Sequence, residues 1–307
     1  MEKAKIDFAV GLNAYETVEE IVDKCVEAER LGLDYVWIGD SPPHLYCPSV
    51  AAAVASRTKQ IRIGLGVLSP LLHTPDQISG SIIPLIEAYG DRFEICLGVG
   101  DRSQLSRAGV DTKLAKVWDH VLKAKRKIAG SLRASDVATK IWLGAQGPRM
   151  LAASKSFDGV LMNYASPRLI KWAMDKVKPD ARKGFDFGIY APSYVYRKWR
   201  PQAYRLLRIA SAVVTLGAPE AVLDKFGLSK RLRRATEEHQ AGHRIEAVVK
   251  HVPAEIVDSF SIYTPSSRLH SYLGELGDLG ITHIVFGFPQ NLSKITIRDL
   301  ASALPIP

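Results

Sequence analysis

A short apolar run, Ile141-Trp-Leu-Gly144, ends in Ala145-Gln146-Gly147-Pro148 and passes at once into an apolar helical pattern. Pro148 suits a first helical position, and Gly144 and Gly147 let backbone N–H groups come close to a ligand. The free N–H groups of such a helix start attract an anion such as a phosphate. An ordinary strand-to-helix turn would carry the same residues, so both readings stay open on local chemistry. Two carboxylates could add acid–base work. Asp40 follows Trp37-Ile38-Gly39, and it either binds a polar ring or caps the turn into Ser41-Pro42-Pro43. Asp101 sits in Gly98-Val99-Gly100-Asp101-Arg102, where the glycines would bring a ligand near the backbone. A dinucleotide fingerprint fails there, because position 103 is Ser and not Gly. Gly64-Leu65-Gly66-Val67, followed by Ser69-Pro70, marks a bulge, a close ligand approach or a plain turn.

The remaining chemistry is thin. His44, His73 and His283 lack metal-ligand spacing and read as structural or surface groups. No Gly-x-Ser-x-Gly element and no Cys/His nucleophile pair occurs, which leaves hydrolase chemistry without support.

These residues need a frame, and the chain alternates strand-like runs with amphipathic helices from end to end. Strands are expected at Lys5–Leu12, Tyr35–Gly39, Ile61–Gly66, Phe93–Gly98, Lys140–Gly144, Gly159–Asn163, Phe185–Tyr196 and His283–Gly287. Helices are expected at Thr17–Leu31, Pro48–Arg57, Pro75–Tyr89, Thr112–Ala129, Arg149–Ser156 and Pro167–Val177. Thr17 with Glu20, Thr74 before Pro75 and Ser166 before Pro167 read as N-terminal caps, and Gly32 and Gly130 as C-terminal glycines. A strand followed by a helix, repeated in this way, is the pattern of a (β/α)8 TIM barrel. The repeat breaks at residues 218–259, which read as a helical insertion before the last strand, with Ser266–Leu279 packing back onto the barrel. The expectation is one barrel domain over residues 1–307. Active sites in this fold lie at the C-terminal strand ends. Those ends carry Asn13, Asp40, Gly66-Val67, Asp101, Ala145-Gln146, Asn163-Tyr164, Tyr196 and Pro289-Gln290.

Composition bounds the rest. At 307 residues and 47% hydrophobic the chain can bury a large core. Its net charge of +9 fits attraction of an acidic small molecule into a cleft. The densest basic run, Lys230-Arg231-Leu232-Arg233-Arg234, has no interleaved aromatics, so a nucleic-acid face is not expected and a solvated helix face is. No signal peptide is expected from Met1–Gly11, and no apolar stretch reaches the ~20 residues of a membrane span. The three cysteines, Cys25, Cys47 and Cys96, are too scattered for a disulfide framework or metal site, and cytoplasm is the expected compartment.

Four blocks carry a resemblance: Ile141–Pro167, with Gly-Ala-Gln-Gly-Pro-x-Met-Leu and then Asp-Gly-x-Leu-x-Asn; Gly64–Pro75; Gly98–Gly109; and Phe260–Gly287. In that order, over nearly the whole chain, the sequence resembles the coenzyme F420-dependent methylenetetrahydromethanopterin reductases, a branch of the bacterial luciferase-like superfamily. The resemblance implies a (β/α)8 barrel with a helical insertion before the last strand, binding the deazaflavin F420 at its C-terminal face. It implies a non-prolyl cis peptide at Gly66–Val67 backing the ring, and a phosphate region on Ala145, Gln146, Gly147 and Asn163. It further implies hydride transfer to a methylene-pterin, support from Asp40 and Asp101, and a homo-oligomer, dimer or tetramer. Two positions depart from the pattern: Gly11 stands where the family carries Glu, and Ser41 where it carries His after Asp. These departures keep two alternatives in view, an FMN-dependent monooxygenase and a deazaflavin-binding protein without turnover.

Overall fold

The computed structural model describes residues 5–12, 16–40, 45–100, 105, 108–110, 117–177 and 183–306. Eight parallel strands close into the expected barrel: β1 Asp7–Leu12, β2 Tyr35–Ile38, β3 Arg62–Leu68, β4 Phe93–Leu97, β5 Ile141–Gly144, β6 Gly159–Met162, β7 Asp186–Tyr196 and, as the closing strand, β9 His283–Gly287. β9 pairs with β7 on one side and with β1 on the other, so the ring has no open edge. A further short strand, β8 (Ile262–Pro265), was not expected from the sequence. It lies outside the ring and pairs only with the far half of β7, Ser193 to Tyr196.

Helices follow the strands where amphipathic periodicity places them. α1 (Val18–Arg30) starts at a capping box made by Thr17 and Glu20, and α3 (Pro75–Tyr89) at one made by Thr74 and Gln77. These reciprocal bonds satisfy helix N–H groups that would otherwise lack partners. α2 spans Cys47–Arg57, and Gly32 follows α1 with φ +78°. Gly130 behaves differently from the expectation: α4 runs on through it, from Val117 to Ala134. Val121, Ala124, Ile128 and Leu132 form one buried stripe. Burying Leu132 on that stripe outweighs the ~1 kcal/mol cost of an interior glycine. α5 (Pro148–Ala153) and α6 (Pro167–Val177) follow β5 and β6.

Between β7 and β8 lie five helices: α7 Pro201–Leu216, α8 Glu220–Lys225, α9 Ser229–Gln240, α10 Ile245–Val248 and α11 Ala254–Phe260. The basic run falls on α9 with Lys230, Arg231, Arg233 and Arg234 exposed and Leu232 buried, a solvated helix face. α12 (Ser266–Leu279) then returns to the barrel, and α13 (Lys294–Ala301) follows β9. Cys25, Cys47 and Cys96 are buried free thiols.

The barrel interior is filled by rings held on one carboxylate. Glu94 is fully buried; it accepts hydrogen bonds from Tyr35 Oη (3.0 Å), Arg62 Nη2 (2.8 Å) and Trp142 Nε1 (2.6 Å). Trp37 Nε1 donates to His283 Nε2 at 2.7 Å, which places the imidazole proton on Nδ1. Each large indole lies where a neighbouring strand has glycine. A Cβ on Gly64 would overlap Trp37, and one on Gly159 would fall 2.7 Å from Trp142. Glycine here is a matter of space, because protein interiors leave no room for a displaced indole.

Two outcomes follow. Glu94→Gln turns an amide N–H₂ toward a donor and is expected to lower stability by about 2–4 kcal/mol in chemical denaturation. Burial, reinforced by the positive Lys140 and Arg62, lowers the His283 imidazole from 6.5 to about 3. A folded-state value below the unfolded one contributes stability above pH 6.5 and loses it as pH falls toward about 3. The loss approaches ~1.4 kcal/mol per pH unit within that window. His283→Gln, whose carbonyl can still accept from Trp37, should flatten the acid limb of the stability–pH curve.

Candidate active site

The C-terminal strand ends form a mouth, and β3 shapes its floor. The Gly66–Val67 peptide is cis, and the β3–β4 register shifts between Gly66 and Leu68. Gly66 has φ +150°, and a Cβ there would come within 2.6 Å of Cys96 O. Only glycine fits both the conformation and the gap. Val67 turns its methyls between β4 and β5. A Cβ on Gly98 would lie 2.5 Å from one methyl, and a Cβ on Gly144 would lie 2.8 Å from the other. Two glycines at neighbouring strand ends, Gly98 and Gly144, therefore seat one valine.

The chain beyond the bulge is tied down step by step. Ser69 Oγ donates to Val99 O at 2.7 Å, and His73 N–H donates to Ser69 O at 3.0 Å. That brings His73 Nε2 to 2.6 Å from Asp40 Oδ2, while Asp40 Oδ1 accepts the Cys47 N–H at 3.2 Å, at the start of α2. The Asp40 side chain is 1% exposed and that of His73 12%. Asp40 thus caps α2 and fixes an imidazole, and it meets the mouth through His73. No local pattern pairs His73 with Asp40, since 33 residues separate them. The available signal was topological, because both residues follow the C-terminal ends of adjacent strands.

The β5 and β6 ends come together beside this floor. Tyr164 Oη donates to Gln146 O at 2.5 Å, and Gln146 Nε2 reaches Val214 O on α7 at 3.4 Å. Ala145 N–H is already spent on Leu161 O, so Ala145 offers surface but no donor. Gly147 is the N-cap of α5 and has no side-chain cap; the first turn closes with Leu151 N–H on Gly147 O. The N–H groups of Arg149 and Met150 precede that bond and point out of the helix start. Arg149 and Asn163 are exposed. A Cβ on Gly147 would stand 3.1 Å from the Pro219 ring, so the stretch between α7 and α8 borders this turn.

Opposite, β7 supplies a group the sequence reading passed over. Tyr190 reaches across β9 toward β1, and a Cβ on Gly287 would lie 3.0 Å from its Cε2. A Cβ on Gly11 would overlap its hydroxyl. The place expected to lack a carboxylate is thus filled by a phenol. Burial pushes that phenol well above its ordinary value, so it stays protonated. Asp101, Asn13, Ser41 and His44 lie outside the described residues.

A sequence profile for luciferase-like monooxygenases matches residues 3–283. The chain belongs to that family. It is 29% identical to the 5,10-methylenetetrahydromethanopterin reductase of Archaeoglobus fulgidus, covering 95% of each chain. The coenzyme F420-dependent tetrahydromethanopterin reductase of Methanopyrus kandleri superposes with a TM-score of 0.84 at 21% identity, over 98% of this chain and 99% of that one. An F420-dependent secondary alcohol dehydrogenase in complex with an F420-acetone adduct gives 0.77 at 13% identity, over 98% of each chain. At these identities the two structures establish the shared barrel.

Asp40→Ala removes acceptors from both the Cys47 and the His73 N–H groups. It is expected to cost about 1–3 kcal/mol in denaturation experiments. An Asp40 acting only as a substrate-facing acid would leave stability unchanged.

Proposed function

We propose that the protein is an F420-dependent oxidoreductase of the methylenetetrahydromethanopterin reductase type, moving hydride between reduced deazaflavin and a methylene-pterin or a related one-carbon carrier. The observation that carries this reading is the glycine-lined seat of Val67 at the ends of β3, β4 and β5, a floor suited to a planar ring. A relative named for that activity, matched over 95% of each chain, supports it. The residues fit the cofactor. Gly66 and Val67 would back the ring, while Gln146, Gly147 and Asn163 would stand around its phosphate, with exposed Arg149 adding positive charge. Ala145 would contribute contact surface only. When bound, the reduced deazaflavin supplies the hydride.

The protein's part is orientation and proton handling. Asp40 holds the His73 ring by Nε2, leaving Nδ1 as the nitrogen free of Asp40. Asp101, outside the described residues, belongs to this reading as a second carboxylate supporting binding or proton transfer. No helix among the described residues is long and apolar enough to cross a membrane. A cytoplasmic homo-oligomer, dimer or tetramer, completes the reading.

Fluorescence titration with F420, beside FMN and NADPH, tests it. Saturable binding of F420 alone is the expected result; preference for FMN would place the chain among the monooxygenases, and no binding of F420 would overturn the proposal. Gly147→Val adds a Cβ against Pro219 and branched bulk at the helix start, and should weaken F420 binding by roughly tenfold or more.

A further inference from the structure

Tyr190 differs from the other large polar rings inside the barrel. Tyr35, Trp37 and Trp142 each spend their polar atom on Glu94 or His283. They sit in the lower layer, which Arg62 enters from the N-terminal end of β3. Tyr190, like Val67, is partly buried and packs against this group. Among the described residues its hydroxyl has no hydrogen-bond partner. It remains partly accessible, whereas Tyr35, Trp37 and Trp142 are buried. Its position is prepared by two neighbouring strand ends, with Gly287 close to the ring edge and Gly11 clearing space for the oxygen.

A phenol oxygen that no described group engages, on a ring still partly accessible from the mouth, can donate its proton to a bound ligand. We infer that Tyr190 is the proton donor of the site, its Oη hydrogen-bonding to the substrate nitrogen that is released as the one-carbon unit is reduced. This inference rests on the hydride-transfer reading above. In the reductive direction the hydride, with its electron pair, joins the methylene carbon. The carbon–nitrogen bond breaks and leaves its pair on nitrogen, and that nitrogen takes the proton from Tyr190 Oη. Solvent then returns a proton to the phenolate, so the net change is one hydride and one proton added to the substrate. Gly11 is the enabling residue: any side chain there displaces the phenol.

The test compares wild type with Tyr190→Phe, which keeps the ring and removes only the oxygen. Four readouts are taken: melting temperature, F420 affinity by fluorescence, affinity for the methyl-pterin product, and turnover with reduced F420 and methylenetetrahydromethanopterin. The expected variant melts like wild type and binds F420 equally well. It binds the methyl-pterin product about 2- to 10-fold more weakly, through loss of one hydrogen bond. Its kcat falls by about 100- to 10,000-fold, the usual span for a lost general acid. A variant with wild-type product affinity and wild-type kcat overturns the role of Tyr190 while leaving F420 dependence intact. Weakened F420 binding with wild-type product affinity would also overturn it, placing the phenol against the cofactor instead. A wild-type chain that binds no F420 overturns the functional reading itself, and this inference with it.

Discussion

The barrel is organised around a carboxylate that never meets solvent. An unpaired buried charge would be prohibitive, so Glu94 needs all the donors that reach it from β2, β3 and β5. That requirement fixes Trp142 through its indole N–H. Trp142 packs edge-on against Trp37 (ring centroids 6.0 Å apart), and Trp37 is bonded in turn to His283 on β9. One charge at the level of β4 thereby specifies side-chain positions around most of the ring. The site lies at the opposite end of the strands, and its floor can be sparse because the layer beneath it is rigid.

Above that layer the mouth is built largely by removing side chains. Gly98 and Gly144 make room for one valine, while Gly11 and Gly287 clear the place of one tyrosine. Gly98 and Gly287 meet these side chains from neighbouring strands, whereas Gly144 and Gly11 meet them across an intervening strand, so the shape of the mouth depends on the parallel register as much as on the residues. Loops then bring polar groups onto this surface. The Ser69–His73 turn, braced by Val99, delivers an imidazole to Asp40. The N–H groups of Arg149 and Met150, without a side-chain cap, add electropositive backbone beside it.

Strand positions were legible because the barrel runs are largely apolar and several meet Gly, Asp or Asn at their ends, as Tyr35–Ile38 does between Asp34 and Gly39 and Gly159–Met162 between Asp158 and Asn163. Helix starts were legible where Thr precedes Glu or Pro. What escaped notice depends on contacts across the ring. Ile262-Tyr-Thr-Pro265 ends in Pro, and it becomes a strand only because β7 extends beyond the barrel to meet it. The His73–Asp40 pair and the Tyr190–Gly11 contact join residues that no local pattern relates. Gly11 itself was legible as a departure, but the sequence showed a loss where the structure shows an occupant.

That occupant changes the acid–base character of the mouth. An ordinary carboxylic acid has a pKa near 4, so it would hold a proton at neutral pH only if burial raised its value by several units. A phenol begins at 10.0 and burial raises it further, so Tyr190 carries its proton across the physiological range without a special environment. The cost is acid strength, since Brønsted behaviour makes a weaker acid a slower donor. Placement can offset this, because a donor held at the reacting atom gains far more than one that must be found by diffusion. Tyr190 is confined on a strand, with its ring against Gly287 and its oxygen over Gly11. A side chain at position 11 and the Tyr190 phenol therefore exclude one another: neither can stand in the place while the other occupies it.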